Sequence, residues 1–339
     1  MKAVGYRVPL PITESESLVD IELPRPSPEG HDILVEVKAI SVNPVDYKVR
    51  RSTPPAAGVD WNVIGWDAAG IVASIGPEVT RFKIGDEVWY AGSITRSGTY
   101  AEFHLVDERI VGSKPAVLSW ADAAALPLTS LTAWEALFDR LDVRRPVPGA
   151  APAILIIGGA GGVGSIAIQI ARQFTSLTVI ATASRPETQD FVRSFGAHYV
   201  VDHAKPLAEQ VASLGIGAPA YVFSTTHTDK HAADIADLIA PQGRFCLIDD
   251  PSSFDIMQFK RKSVSIHHEL MFTRAIFGTP DIGEQGRILD EVSRAVDAGN
   301  IRTTATAHFG AINAANLKKA HAQLESGTTI GKVVLEGFI

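Results

Sequence analysis

Cysteine is almost absent from this chain of 339 residues; the sole example is Cys246. One thiol makes no intrachain disulfide, and four-cysteine zinc sites are excluded. Excess positive charge is also missing. A net charge of -7 gives no electrostatic footprint for a polyanion, so nucleic acid is not an expected partner. No apolar run approaches the length that spans a bilayer, so no membrane partner is expected. Near the start, Lys2 and Arg7 flank short apolar stretches broken by Pro9 and Pro11, which is not a secretory pattern. Repeats and low-complexity segments are lacking too. The expectation is a cytoplasmic protein, with a hydrophobic fraction of 46% and a charged fraction of 20% that are ordinary for globular chains. Its length exceeds the usual single domain, so two are expected.

What is present is organised around Ala153-Ile154-Leu155-Ile156-Ile157-Gly158-Gly159-Ala160-Gly161-Gly162-Val163-Gly164. The apolar residues read as a strand buried on both faces. Val163, Ile166, Ala167, Ile170, Ala171 and Phe174 then recur at helical spacing. Between them lies Gly159-x-Gly161-x-x-Gly164, where a dinucleotide-binding turn needs it. Glycines there permit the tight turn, the approach of a pyrophosphate and close helix–strand packing, and the phosphates lie at the positive end of the helix opened by Gly162 and Val163.

Residues 1-127 read as mostly β. Ile33, Val35, Val37 and Ala39 alternate with polar neighbours, and further strands are expected over Asp67 to Ile75, Asp86 to Tyr90 and Thr99 to Val106. Gly70 within the second suggests a bulge or close approach. Frequent turns suggest a small barrel-like domain. Ser119 is a candidate N-cap, and Leu131, Trp134, Leu137, Phe138 and Leu141 form an apolar stripe. After the glycine turn, strands and helices alternate through five strands ending at Ile248, the pattern of a doubly wound parallel sheet. From about Phe272 the alternation fails. Helices are expected from Glu284 to Ala298 and from Ala314 to Leu324, and a last strand at Gly331 to Leu335 returns to the first domain. The boundaries so read are 1-127 with 273-339 for one domain and 128-272 for the Rossmann domain.

The end of the second parallel strand, Ala183-Ser184-Arg185, decides the cofactor. An acid there would accept from the ribose hydroxyl of NAD; Ser184 and Arg185 instead suit the 2'-phosphate of NADPH. His203 and Lys205 could line the same pocket, or all of these could be ordinary surface residues.

The segments Val42-Asn43-Pro44-Val45-Asp46, Gly65-Trp66-Asp67-Ala68-Ala69-Gly70, Gly85-Asp86-Glu87-Val88 and Leu128-Thr129-Ser130-Leu131-Thr132-Ala133-Trp134 occur in order with the glycine loop. Together they resemble the medium-chain dehydrogenase/reductase superfamily, in the branch of the quinone oxidoreductases, and more narrowly the bacterial zinc-type alcohol dehydrogenase-like group. The resemblance implies an α/β architecture: a GroES-like mostly-β catalytic domain, a Rossmann doubly wound parallel sheet, and a cleft between them. It places Thr132 near the nicotinamide, although a helix-capping role is equally open. Where zinc members have a cysteine and a Gly-His-Glu, this chain has Asn43 and Gly65-Trp66-Asp67, so no metal ligands are expected. His227-x-x-x-His231 and His267-His268 lack a third ligand at useful spacing.

Without a metal to stabilise an alkoxide, hydride transfer suits an acceptor that is already electrophilic. The expected function is NADPH-dependent reduction of a quinone or an α,β-unsaturated carbonyl, by a homodimer. Asn43 and Lys48 are candidates for polarising the acceptor oxygen, with Asp46 and Tyr47 beside them. Asp46 could equally make a structural hydrogen bond, and Trp66 suits packing. A zinc-dependent alcohol dehydrogenase and a non-catalytic nucleotide-binding protein are the alternatives.

Overall fold

In the computed structural model, which describes residues 1–338, the chain forms two units. One comprises Met1–Leu131 and the chain from Phe272 onward; the other is Thr132–Met271.

The first unit starts with an antiparallel pair, β1 (Lys2–Gly5) and β2 (Val19–Glu22). Next come β3 (Asp32–Val42), α1 (Pro44–Ser52), β4 (Ala68–Ile75), β5 (Glu87–Tyr90), β6 (Phe103–Asp107), β7 (Val111–Ser113), α2 (Trp120–Ala124) and α3 (Pro127–Trp134). The alternation in β3 buries Ile33, Val35, Val37 and Ala39. Gly70 of β4 lies under β3: a Cβ there would meet the Glu36 carbonyl oxygen at 2.2 Å. The register slips beside it, between Val37 and Ala39, as a bulge requires. Ser119 caps α2 by accepting from Asp122 N at 3.1 Å.

In the second unit α3 loosens into a π-helical turn at Glu135–Arg140, where Leu141 N donates to Ala136 O, five residues back. The elements then alternate: β8 (Ala151–Ile157), α4 (Gly162–Phe174), β9 (Thr178–Thr182), α5 (Pro186–Ser194), β10 (Tyr199–Val201), α6 (Leu207–Ser213), β11 (Pro219–Ser224), α7 (Thr228–Leu238), β12 (Arg244–Leu247) and β13 (Ser265–His268). All pairings are parallel, in the order β10-β9-β8-β11-β12-β13. The order reverses between β8 and β11, the switch point outside which open α/β sheets bind ligands. Leu155, Ile180, Val222 and Phe245 are buried in one core cluster. The sixth strand, β13, escaped the alternation because Ser-Ile-His-His is polar; an edge strand with one neighbour tolerates that. His267 and His268, consecutive in a strand, point to opposite faces and do not converge.

The chain re-enters the first unit through α8 (Thr273–Phe277), α9 (Glu284–Asp297), β14 (Ala305–His308), α10 (Ala314–Glu325) and β15 (Lys332–Glu336). β15 pairs antiparallel with β3, from Val333↔Val42 to Glu336↔Ala39, completing the sheet β14-β15-β3-β4-β5-β7 with β6 on β3. That pairing brings the last strand against the loop that opens α1. Among the described residues no helix is long and apolar enough to cross a membrane.

Candidate functional site

In the second unit the glycines divide by what a Cβ would meet. At Gly164 it would lie 2.2 Å from Gly158 O, and at Gly159 it would lie 2.9 Å from Ala181 Cβ. Gly164 is demanded by the close approach of α4 to the turn, and Gly159 by the packing of the turn against β9. Gly158, at φ +79, makes the turn itself. Gly161 differs: apart from its chain neighbours, the one atom among the described residues within 4 Å of a Cβ there would be Gly158 O, at 3.4 Å. Its backbone is extended, at φ -77 and ψ 177. The open space over Gly161 faces the first turn of α4, where Gly162, Val163 and Gly164 present amide donors that the helix itself leaves without acceptors. Such a cradle fits a dinucleotide pyrophosphate.

At the end of β9, Thr182 Oγ1 accepts from Gly158 N at 3.0 Å and contacts His203 Nδ1 at 3.2 Å. Ser184 follows, then Arg185, which N-caps α5 and pairs with Glu187 Oε1 at 3.1 Å. Both partners of that pair are largely exposed, so it holds the guanidinium weakly. Thr132 is buried in the interior of α3, five residues after its start, which removes the capping alternative.

The first unit gathers the other named residues into a buried polar series. Asn43 N-caps α1, and Asp46, at the third helical position, accepts from Asn43 N at 2.9 Å. The Asn43 amide is 1% exposed. Its Nδ2 donates to Asp67 Oδ2 at 2.9 Å, and its Oδ1 accepts from Lys332 Nζ. Both ends of the amide expected to polarise an acceptor are thus engaged within the chain. Lys332 Nζ also sits 2.9 Å from Asp67 Oδ2, while Asp67 Oδ1 accepts from Leu128 N at 2.9 Å. Burial pushes the Asp67 carboxyl up, and Lys332 opposes this by stabilising the charged form.

The series continues beyond Asp46. Tyr100 donates its hydroxyl to Asp46 Oδ2 at 2.9 Å and lies 3.0 Å from His321 Nε2. Arg50 Nε donates to His321 Nδ1 at 3.3 Å. Since Arg50 can only donate, Nδ1 accepts and Nε2 carries the proton toward Tyr100. Burial and Arg50 push His321 down to about 3, in keeping with that neutral form. The protons on Arg50 Nε, His321 Nε2 and the Tyr100 hydroxyl therefore all point along the run toward Asp46. On the same helix Tyr47 is half-buried and Lys48 exposed. Trp66 is buried, with Nε1 donating to Ser93 O at 3.0 Å and its ring edge-on to Phe272. Lys332, Tyr100 and His321 carried no signal in sequence, since each is far from Asn43 along the chain and belongs to no local motif.

Asp46 supplies a pH prediction. Its carboxyl is pushed up to about 7, chiefly by burial, and Oδ1 has no hydrogen-bond partner. A carboxyl raised above its ordinary value, near about 4, binds a proton on folding. Its contribution to stability is then complete below that value and is lost as pH rises through about 7. Asp46→Asn abolishes the titration. Urea unfolding across this range should show stability shifting in the variant's favour relative to wild type as pH rises. A difference independent of pH would remove Asp46 from the titrating groups.

Comparison with known proteins agrees with both halves. Residues 29–116 match the alcohol dehydrogenase GroES-like domain, and residues 195–335 match the zinc-binding dehydrogenase family. The chain is 40% identical over 337 residues to a zinc-type alcohol dehydrogenase-like protein of Staphylococcus aureus (strain MSSA476), covering 99% of each chain. A crystal structure from Rhizobium etli CFN 42, provisionally named a zinc-dependent alcohol dehydrogenase, superposes with a TM-score of 0.99 at 76% identity, over 100% of this chain and 98% of that one. The quinone oxidoreductase of Pseudomonas syringae pv. tomato DC3000 gives a TM-score of 0.83 at 26% identity over 99% of each.

Those names raise zinc, and the donor set at the matching place does not fit it. Asn43 and Asp67 offer only oxygen acceptors with one carboxylate, and the Lys332 ammonium already lies against that carboxylate. Zinc prefers thiolate and imidazole in tetrahedral array. Among the described residues no group of three or more His, Cys, Asp or Glu could hold a metal ion. The glycine turn, in contrast, fits the nucleotide of an NAD(P)-binding family. With near-complete coverage by such relatives and an intact Gly159-x-Gly161-x-x-Gly164 turn at the sheet's switch point, the chain belongs to the medium-chain dehydrogenase/reductase superfamily, among its zinc-type alcohol dehydrogenase-like members, and is an oxidoreductase of an NAD(P)-binding family.

Proposed function

We propose that this protein reduces a quinone or an α,β-unsaturated carbonyl with NADPH and without zinc. The observation that carries the reading is the Lys332 ammonium buried between Asp67 and Asn43. A dication placed against the same carboxylate would be repelled by it. Oxidation of a simple alcohol needs an alkoxide stabilised by a Lewis acid, whereas a conjugated acceptor is electrophilic already. The likeness to the Pseudomonas syringae quinone oxidoreductase supports the same acceptor class.

Bound NADPH supplies the hydride. In this reading the amides of Gly162, Val163 and Gly164 hold the pyrophosphate, and Ser184 and Arg185 hold the 2'-phosphate, the guanidinium by a charge-assisted fork. Thr132 lies toward the nicotinamide end. Asn43 and Asp46 position the start of α1, which carries Tyr47 and Lys48; these two are assigned to the acceptor oxygen. Asn43 thereby becomes a positioning residue, its amide being engaged by Lys332 and Asp67.

Two measurements test this. NADPH should bind more tightly than NADH, and Arg185→Ala should narrow the gap by about 1.5–3 kcal/mol, the range for a hydrogen bond to a charged group. Equal dissociation constants for the wild type would sink the cofactor assignment. Dialysis against a strong chelator, then metal analysis and assay with a quinone and an enone, should leave NADPH oxidation intact. Activity lost with one zinc per chain and restored by zinc would overturn the reading.

A further inference from the structure

Three histidines remain beside the cofactor end of the parallel sheet. His203 follows β10, His227 immediately precedes α7, and His231 lies in that helix. The rings of His203 and His231 are 6.4 Å apart and edge-on. His203 Nδ1 is 3.2 Å from Thr182 Oγ1, the hydroxyl that also holds Gly158 N. His227 adopts φ 52, uncommon for a non-glycine residue, and its Nδ1 is 2.8 Å from Thr226 Oγ1. The field of Arg185 reaches His203, and His227 acts on both of the other imidazoles. The fold thus collects three imidazoles and a guanidinium around the ends of β9, β10 and β11.

We propose that His203 and His231, bordered by His227, join Arg185 in a proton-sensitive pocket for the 2'-phosphate, so that preference for NADPH over NADH strengthens as pH falls. This rests on the NADPH reading above and adds its regulation by protons. A phosphate dianion beside the His203 and His231 imidazoles favours their protonated forms, so binding takes up protons; NADH has no such group.

The surrounding charges permit this. Asp202 favours protonation of His203 but is itself 3.7 Å from Lys205 Nζ. Asp234 favours protonation of His231, Lys230 opposes it, and Asp234 already accepts from Leu207 N at 2.9 Å. Asp249, near the start of α7, is occupied by Thr228, and Glu187 by Arg185. Burial, more than these charges, lowers both His203 and His231 below the ordinary imidazole value. Both are then neutral in the free protein near pH 7, and protonation on binding gives a dependence across the neutral range.

The test is to titrate NADPH and NADH, by nucleotide fluorescence, into wild type, His203→Gln/His231→Gln and His227→Gln between about pH 6 and pH 8. Relative to the double variant, the wild-type ratio of NADPH to NADH affinity should fall about threefold to sixfold over that range, a tenfold rise in one imidazole's proton affinity setting the upper limit at about ten. The phosphate's own second ionisation, near about pH 6, is common to all three proteins and cancels in their difference. The double variant should lose the fall, and His227→Gln should weaken it, with NADH affinity unchanged as the check on an intact site. A pH profile of the ratio that is equal in all three proteins overturns the proposal. Absence of any NADPH preference at every pH would instead overturn the cofactor reading on which it rests. If the double variant does not fold, the wild-type and His227→Gln profiles still decide.

Discussion

Gly161→Val is expected to weaken nucleotide binding by about a hundredfold or more while the protein melts at the wild-type temperature. The separation follows from the space around the residue. A Cβ at Gly161 meets only Gly158 O, at an ordinary 3.4 Å, and φ -77 with ψ 177 is backbone that valine adopts readily. At the Cβ, therefore, the fold leaves room for a side chain. A pyrophosphate laid on the first turn of α4 would meet its two methyl groups, and two to three kcal/mol of lost contact and overpacking corresponds to roughly that loss of affinity. Gly164→Ala is the contrasting variant. Its Cβ would stand 2.2 Å from Gly158 O and 2.7 Å from Gly159 Cα, so α4 must move off the sheet and the unit loses stability before any ligand is added. Thermal melts and fluorescence titration of both variants separate the cases. Unchanged affinity in Gly161→Val would take this loop out of the nucleotide site, and a large fall in its melting temperature would mean that the glycine serves packing.

Lys332→Met is expected to destabilise the first unit by about 3–5 kcal/mol, the usual result of removing one partner from a buried ion pair. For a chain of this size that corresponds to a fall in melting temperature on the order of 10 °C. Asp67 is wholly buried, and its Oδ2 would keep only the Asn43 amide as a donor. The loss should shrink at acid pH, because burial already favours the protonated carboxyl and the missing ammonium was its main opponent. Lys332→Met/Asp67→Asn should recover much of the stability, since it removes the orphaned charge while an amide oxygen remains for Leu128 N. A single variant as stable as wild type would show that the pair is not held as described. A double variant no better than the single would assign the damage to lost packing of the lysine stem.

Much of the second unit was legible because its signals are local. A buried parallel strand is an apolar run, a helix repeats every three or four residues, and the turn between them needs glycine at fixed steps; Ile154 to Phe174 contains all three. Thr178–Thr182 and the helix from Pro186 followed by Gly196 were equally plain. Ser265–His268 was not, since a polar edge strand is recognised only by the neighbour it pairs with. In the first unit the alternation in β3 and the bulge signalled by Gly70 were visible, as was the return of the last strand.

The sequence alone determined the spacing of Gly159, Gly161 and Gly164 between a strand and a helix, and the residue types Asn43 and Gly65-Trp66-Asp67, since each is local to the chain. It could not determine what Asn43 does. That role depends on Lys332, which lies 289 positions away and reaches Asn43 because β15 pairs with the end of β3. Asp46, Tyr100, His321 and Arg50 were likewise brought into one run by three separate elements, α1, the segment before β6 and α10. Hydrogen bonds between groups so far apart in the chain leave no periodicity to read, because their partners are chosen by tertiary packing and by the cost of leaving a buried charge alone. The same reason separates the histidines: His227 and His231 formed a visible pair, but only the tertiary packing of α7 against α6, the helix that follows β10, set His203 beside them.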